Sequence, residues 1–309
     1  KLIQTLNFIN SEFKSENNLL GSAYDADSEG VEGKYYVWKY DELENLLKDK
    51  LTIFKKKYLI TSEGNFEGAN ILIEKKDQKF SEQEKIILKE AENLLLNLRK
   101  KRIKPFFDNK VQTDLNCYWL YSNLHSSLLL ENEDLYNKTM DSINIIHEKL
   151  KNNIFHCYNK NKDEIDVFLE DYVYYALLLI SLYELNNDKK SLEKCKKIME
   201  EVWSLFFNKD YNLLQKNICN SNDLFVNPID IGDNNIPNGN SIYLLICSKL
   251  NNILNDKNWS KKLDILSKTF NTYISFNFSQ MFSYLKVLDI CEENITVTLH
   301  GRINEKIKN

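Results

Sequence analysis

Apolar positions recur at helical spacing along most of the chain. Leu2, Ile3, Leu6, Ile9 and Phe13 lie three and four apart, which predicts an amphipathic helix over residues 2–13. Further helices are predicted over 41–47, with Asp41 complementing the helix dipole at its start, and over 51–60. Ser81 with Glu84 forms a capping-box signature, and Ile86, Ile87, Leu94, Leu95 and Leu98 carry that helix to about residue 102, where Pro105 closes it. Thr113 or Asp114 can cap the next helix, through Trp119, Leu120, Leu124 and Leu128. Helices over 135–150, 168–185, 191–206, 240–254, 259–276 and 279–290 then follow with short polar connectors, and a strand over 295–299 ends the pattern. Successive hairpins of this kind predict an all-α array of paired helices.

Two Gly-bounded stretches interrupt the helices. Residues 21–38 read GSAYDADSEGVEGKYYVW, with Asp25, Asp27 and Glu29 at alternate positions, followed by Tyr35, Tyr36 and Trp38 with strand character. The spacing matches the first half of a calcium loop, but Tyr36 stands where that loop needs a bidentate Glu, which argues against an EF-hand. Residues 63–72, EGNFEGANIL, repeat the acidic, Gly-bounded character and end in an apolar strand-like tail.

The chain has 309 residues, 43% hydrophobic and 28% charged, enough for a substantial core of a soluble protein. Three prolines and eight glycines leave little to punctuate many short strands. A formal charge of −4 supplies no basic field, so neither nucleic acid nor an anionic membrane is an expected partner. The six cysteines form no close pair, which predicts reduced, mostly buried thiols in a cytoplasmic protein and no metal or cofactor. No apolar run spans a bilayer. A chain that begins with Lys inside a helical pattern is read as a fragment or processed piece.

The motifs DADSEG, EGKYYVW, EGNFEGANIL, DNKVQTDLN (108–116), LEDY (169–172) and PNGNS (237–241) occur in one order. That order resembles the C-terminal helical part of the spermatogenesis-associated protein 20 / YyaL family of thioredoxin-domain-containing proteins. The resemblance implies an (α/α) toroid of the six-hairpin kind, similar to six-hairpin glycosidases and N-acylglucosamine 2-epimerases. It also implies one barrel domain over residues 1–301, lacking its first hairpins, and a tail over 302–309. The family's thioredoxin-like domain and its Cys-x-x-Cys-like motif are not in this sequence. Three motifs depart from the family pattern: Asn109 replaces an Asp, Leu115 replaces a Trp, and Glu170 replaces an Asp.

Rim loops of such a barrel would bring acidic and aromatic groups onto one cavity. Asp27, Asp114 and Asp171 are the expected acid/base residues, since paired carboxylates serve general acid and base chemistry. Asp25, Glu29, Glu67, Glu170, Asn116 and Asn240 are expected to hold hydroxyls, while Trp38, Phe66, Trp119 and Tyr172 would wall a sugar ring. Bland roles compete at each position: Asp25 and Asp27 can tie down their own backbone, Asp114 can cap its helix, and Asn240 or Ser241 can cap the helix after Pro237. Asp171 lies amid apolar residues, so it must be paired or face a wet cavity. A cavity-facing role predicts that Asp171→Asn removes turnover and leaves the melt nearly unchanged. The four histidines fall on no motif, and His125 reads as a packing residue. The expected function is binding of a sugar or polyol. The alternative is a non-catalytic scaffold that accompanies a thioredoxin-like domain.

Overall fold

The computed structural model describes residues 1–15, 18–158, 167–218 and 227–292. The fold is all-α, an (α/α) arrangement of helical hairpins with a few two-stranded ribbons. It divides into two compact units, one of residues 1–21 and 110–309, the other of residues 22–109. The strand predicted over 295–299 and the tail lie outside the described residues.

The first unit holds α1 (Leu2–Glu12) and three hairpins: α5 (Thr113–Leu129) with α6 (Glu133–Lys149), α7 (Leu169–Asn186) with α8 (Lys189–Phe206), and α9 (Gly239–Leu254) with α10 (Lys257–Asn277). A further helix, α11 (Phe282–Glu292), packs on α9. Within each hairpin the second helix packs on the first, and α7 also packs on α5 and α9. The result is an inner row, α5, α7, α9 and α11, with α6, α8 and α10 outside it.

Helix α7 shows why sequence dictates this layering. Its residues are apolar around the whole circumference, and from Asp171 to Leu182 every side chain is buried. A helix of that kind must be surrounded. The outer helix α8 instead buries one stripe, Leu192, Cys195, Met199, Val202 and Phe206, at three- and four-residue spacing. Each such large buried side chain contributes about 1.5–3 kcal/mol of transfer free energy.

In the second unit, α2 (Tyr40–Leu47), α3 (Leu51–Lys57) and α4 (Glu82–Arg99) enclose a separate core of Trp38, Leu43, Leu47, Phe54, Leu88, Ala91 and Leu95. Helix α4 begins with the expected capping box between Ser81 and Glu84, and its buried stripe is Leu88, Ala91 and Leu95, while Ile86 and Leu94 are exposed. Helix α3 stops at Lys57 because Tyr58–Leu59 pairs with Ile73–Glu74.

Several local expectations are corrected. The aromatic run after the acidic loop is a turn, in which the Tyr36 and Val37 amides donate to the Gly33 carbonyl; Trp38 forms an isolated bridge to Asn70. Neither Thr113 nor Asp114 caps α5, because both already lie in its first turn and Gln112 occupies the cap position. Helix α9 is capped by Asn238, whose Oδ1 accepts the Ser241 amide at 2.9 Å, so Asn240 and Ser241 are inside the helix.

Candidate functional site

Because the inner helices share one direction, the N-termini of α5, α7, α9 and α11 lie at one end of the first unit, and specific side chains lace them together. Asp171, in the first turn of α7, is fully buried and does not face a wet cavity. Its Oδ2 accepts the Phe168 amide at 2.8 Å, and its Oδ1 accepts the Asp114 amide of α5 at 3.2 Å. Asp233 repeats the arrangement one hairpin on: it accepts the Asn238 amide at 3.0 Å ahead of α9 and the Ser283 amide at 2.7 Å in α11. Between these two carboxylates, Gly239 lets α9 approach α7. A Cβ there would meet Leu169 Cδ2 at 2.8 Å and Glu170 Oε1 at 3.0 Å.

His156 completes the arrangement around Asp171. It precedes the strand Cys157–Tyr158, which pairs with Val111–Gln112, and its carbonyl accepts the Thr113 amide at 2.8 Å. This register places Nδ1 3.1 Å from Asp171 Oδ1 and Nε2 3.0 Å from Gln112 Nε2. With the amide donating, the imidazole is neutral, protonated at Nδ1 and aimed at the carboxylate. Burial alone lowers the His156 pKa, but the hydrogen bond and charge of Asp171, with Asp114 and Glu170 adding, bring it above its ordinary value. Protonating Nε2 then requires the Gln112 amide to turn its oxygen inward.

Beside this cluster lies a cleft of about 400 Å³, bordered by Asp114, His156, Phe168, Glu170, Lys216 and Asp230, with the loop from Asn234 to Asn238 opposite. Glu170 is its distinctive group. Its Oε2 is buried and, among the described residues, has no hydrogen-bond partner. Burial first, opposed by Lys216 and reinforced by Asp230 and Asp114, raises its pKa above the usual carboxylate range. Asp114 is likewise raised, first by burial and then by the charge of Asp171. Lys216 and Asp230 face each other at 3.7 Å across the same cleft. Two carboxyls with raised pKa values, next to a histidine and a lysine, give the cleft groups that can donate and accept protons.

Among the described residues, Asp114, His156 and Asp171 also bring one ligand atom each within 4.8 Å of one another, the arrangement a divalent cation needs. Here those atoms bond to each other and to backbone amides, so a cation would have to displace three N–H donors from Asp171.

The other expected site residues fall elsewhere. Tyr172 is in the core, against Phe206. Asn116 and Asn240 are buried and their amides are used on backbone: Asn116 bonds the N–H and the carbonyl of Leu20, and Asn240 does the same to Leu214. They fix the chain and leave no group for a ligand. Trp119 borders a different cleft of the first unit, between α1, α5 and α6.

Asp25, Asp27, Glu29, Trp38, Phe66 and Glu67 belong to the second unit. Asp25 Oδ1 accepts the Asp27 amide at 3.2 Å, the local backbone tie. Trp38 is buried under the Arg102 guanidinium, 3.9 Å from its ring centre, and cannot wall a ligand. Glu29, Phe66 and Glu67 border a cleft of about 650 Å³ in that unit, with Glu29 paired to Lys34 at 3.0 Å.

Sequence reasoning missed His156, Lys216, Asp230 and Asp233. His156 sits in no motif, and only the pairing of its strand with residues 111–112 brings it to Asp171.

No family model and no curated relative matches the chain. Among solved structures, an inactive variant of the α-1,6-mannanase GH76A of Salegentibacter sp. HEL1_6, in complex with α-1,6-mannotriose, is 12% identical, with a TM-score of 0.41, over 86% of this chain and 67% of that one. A family 105 glycoside hydrolase of C. acetobutylicum ATCC 824 is 13% identical, with a TM-score of 0.41, over 90% of this chain and 74% of that one. At such identities the function must be argued from the cleft itself.

Proposed function

We propose that the cleft at the inner-helix N-termini binds a sugar or similar polyol, with Glu170 as proton donor and Asp114 as the accompanying carboxyl. Asp171 and His156 are positioning residues, which hold the start of α5 and the Asp114 side chain that follows it. The observation that carries this reading is the buried Oε2 of Glu170, unpartnered among the described residues, in a cleft that mixes amides and charged groups with the apolar Leu115, Phe168, Ile236 and Pro237. A hydroxyl placed there would satisfy that oxygen once the carboxyl turns toward the cleft, and Phe168 offers an apolar face. The order of the six motifs supports membership in the spermatogenesis-associated protein 20 / YyaL family. The buried thiols of Cys117, Cys195 and Cys247, which form no disulfide, are in keeping with a cytoplasmic protein.

A thermal-shift and calorimetry screen of neutral monosaccharides, disaccharides and sugar phosphates tests the reading, because a ligand that binds only the folded state raises its melting temperature. At least one sugar should stabilise the wild type, and Glu170→Gln should weaken that sugar about tenfold or more. A panel that leaves the wild type unmoved, or a Glu170→Gln protein that binds unchanged, would sink the proposal.

A further inference from the structure

A second cleft of the first unit, about 470 Å³ in volume, lies between α1, α5 and α6. Its chemistry differs from that of the acid–base cleft. Asn7 and Asn10 come from α1, Trp119 and Asn123 from α5, and Thr139 and Ser142 from α6. The one acid in its described lining, Asp134, pairs with Lys138 at 2.7 Å, so no free carboxyl is present there to move a proton.

Asn123 marks the site. The residue is 4% exposed and, among the described residues, its Oδ1 has no hydrogen-bond partner. Buried amides are nearly always satisfied, so an orphan at the wall of a cleft calls for a ligand group to complete it. The hydroxyls of Thr139 and Ser142 donate to the Leu135 and Lys138 carbonyls, which leaves both oxygens free to accept. Trp119 is half-buried and provides a flat apolar wall.

We infer that this cleft is a second, non-catalytic binding site for a neutral saccharide. Amides and hydroxyls that both donate and accept match vicinal hydroxyls, and the indole matches the apolar face of a pyranose ring. Recognition here involves no titration, so it differs from the acid–base cleft in pH dependence as well as in place. The inference does not rest on the proposed function, since it stands on different residues.

Titration calorimetry and tryptophan fluorescence on the full chain, with D-glucose, N-acetyl-D-glucosamine, maltose and D-glucuronate as probes, test it. A neutral probe should bind saturably to the Glu170→Gln protein, in which the other cleft is weakened, and the affinity should be flat from pH 5 to pH 8. In that background Trp119→Ala and Asn123→Leu should each weaken the probe about tenfold or more. Asn123→Leu keeps the shape and removes the orphan oxygen, so it should melt at or above the parent, which separates loss of binding from loss of fold. Absence of saturable binding by all neutral probes in the Glu170→Gln background overturns the inference, as does unchanged affinity in both cleft variants. Binding abolished by Glu170→Gln alone would leave the first cleft standing and remove this one.

Discussion

Glu170 and Asp171 are neighbours in sequence with opposite circumstances. Asp171 accepts N–H groups from His156, Phe168 and Asp114, whereas Glu170 Oε2 accepts none among the described residues. Asp171→Asn would turn an amide N–H against these donors and cost about 2 kcal/mol or more, so it should lower the melt as well as any activity; denaturant titration checks this. That reverses the expectation for a cavity-facing carboxylate. Asp114 and Glu170 carry a pH signature. Their pKa values are above the ordinary values of about 3.9 and 4.3, so the folded protein binds these protons more tightly than the unfolded chain. Their contribution is complete below about pH 4 and is lost as pH rises through the raised values. Asp114→Asn and Glu170→Gln should therefore flatten this decline and stabilise the protein at pH 7, measured by urea unfolding from pH 4 to pH 8. Gly239→Ala should cost about 1–3 kcal/mol, because the added methyl meets the immobile Leu169.

Helices were legible in the chain because their determinants are local: apolar spacing and the Ser81–Glu84 box. The pairings of the Asn side chains were not. Asn116, Asn240 and Asn70 each use a carboxamide as a one-residue strand, bonding both the N–H and the carbonyl of a distant residue, and nothing in the sequence names that residue. The candidate site was half legible for the same reason. Asp114 and Glu170 stood out by motif, while His156 and Asp233 acquire meaning only once strands and helix ends are paired. A third tie joins three helices at their flanks: Lys194 of α8 donates to the Tyr175 hydroxyl of α7 at 2.7 Å, and that hydroxyl lies 2.9 Å from His147 Nδ1 of α6. Burial and then the Lys194 charge lower the His147 pKa to about 4. Its neutral form stabilises the fold above about pH 6.5, and that support is lost as pH falls through about 4. His147→Gln should remove the part of the acid sensitivity between those values, read from melting temperatures at pH 4 to 7.

At the scale of the molecule, the two cores share no buried residue among the described residues: one lies around α7 and α9, the other around Trp38 and Phe54. Each is expected to open with its own free energy. Leu43 is fully buried in the second core, and Leu43→Ala should cost that unit about 2–5 kcal/mol. Hydrogen exchange should then quicken in α2, α3 and α4 and stay unchanged in α7 and α9; equal quickening in both would show a single cooperative unit.

The capped start of α9 has a consequence for how the protein ages. Asn followed by Gly is the dipeptide most prone to deamidation, since the glycine amide can close on the carboxamide, and Asn238–Gly239 is such a pair. In the folded state that carboxamide is held by hydrogen bonds to Ser241, Ile231 and Asp233, which resist the rotation that ring closure needs. The folded molecule therefore protects its most fragile linkage. Each excursion to the unfolded chain exposes it to conversion into an acid that would face Asp233 on refolding.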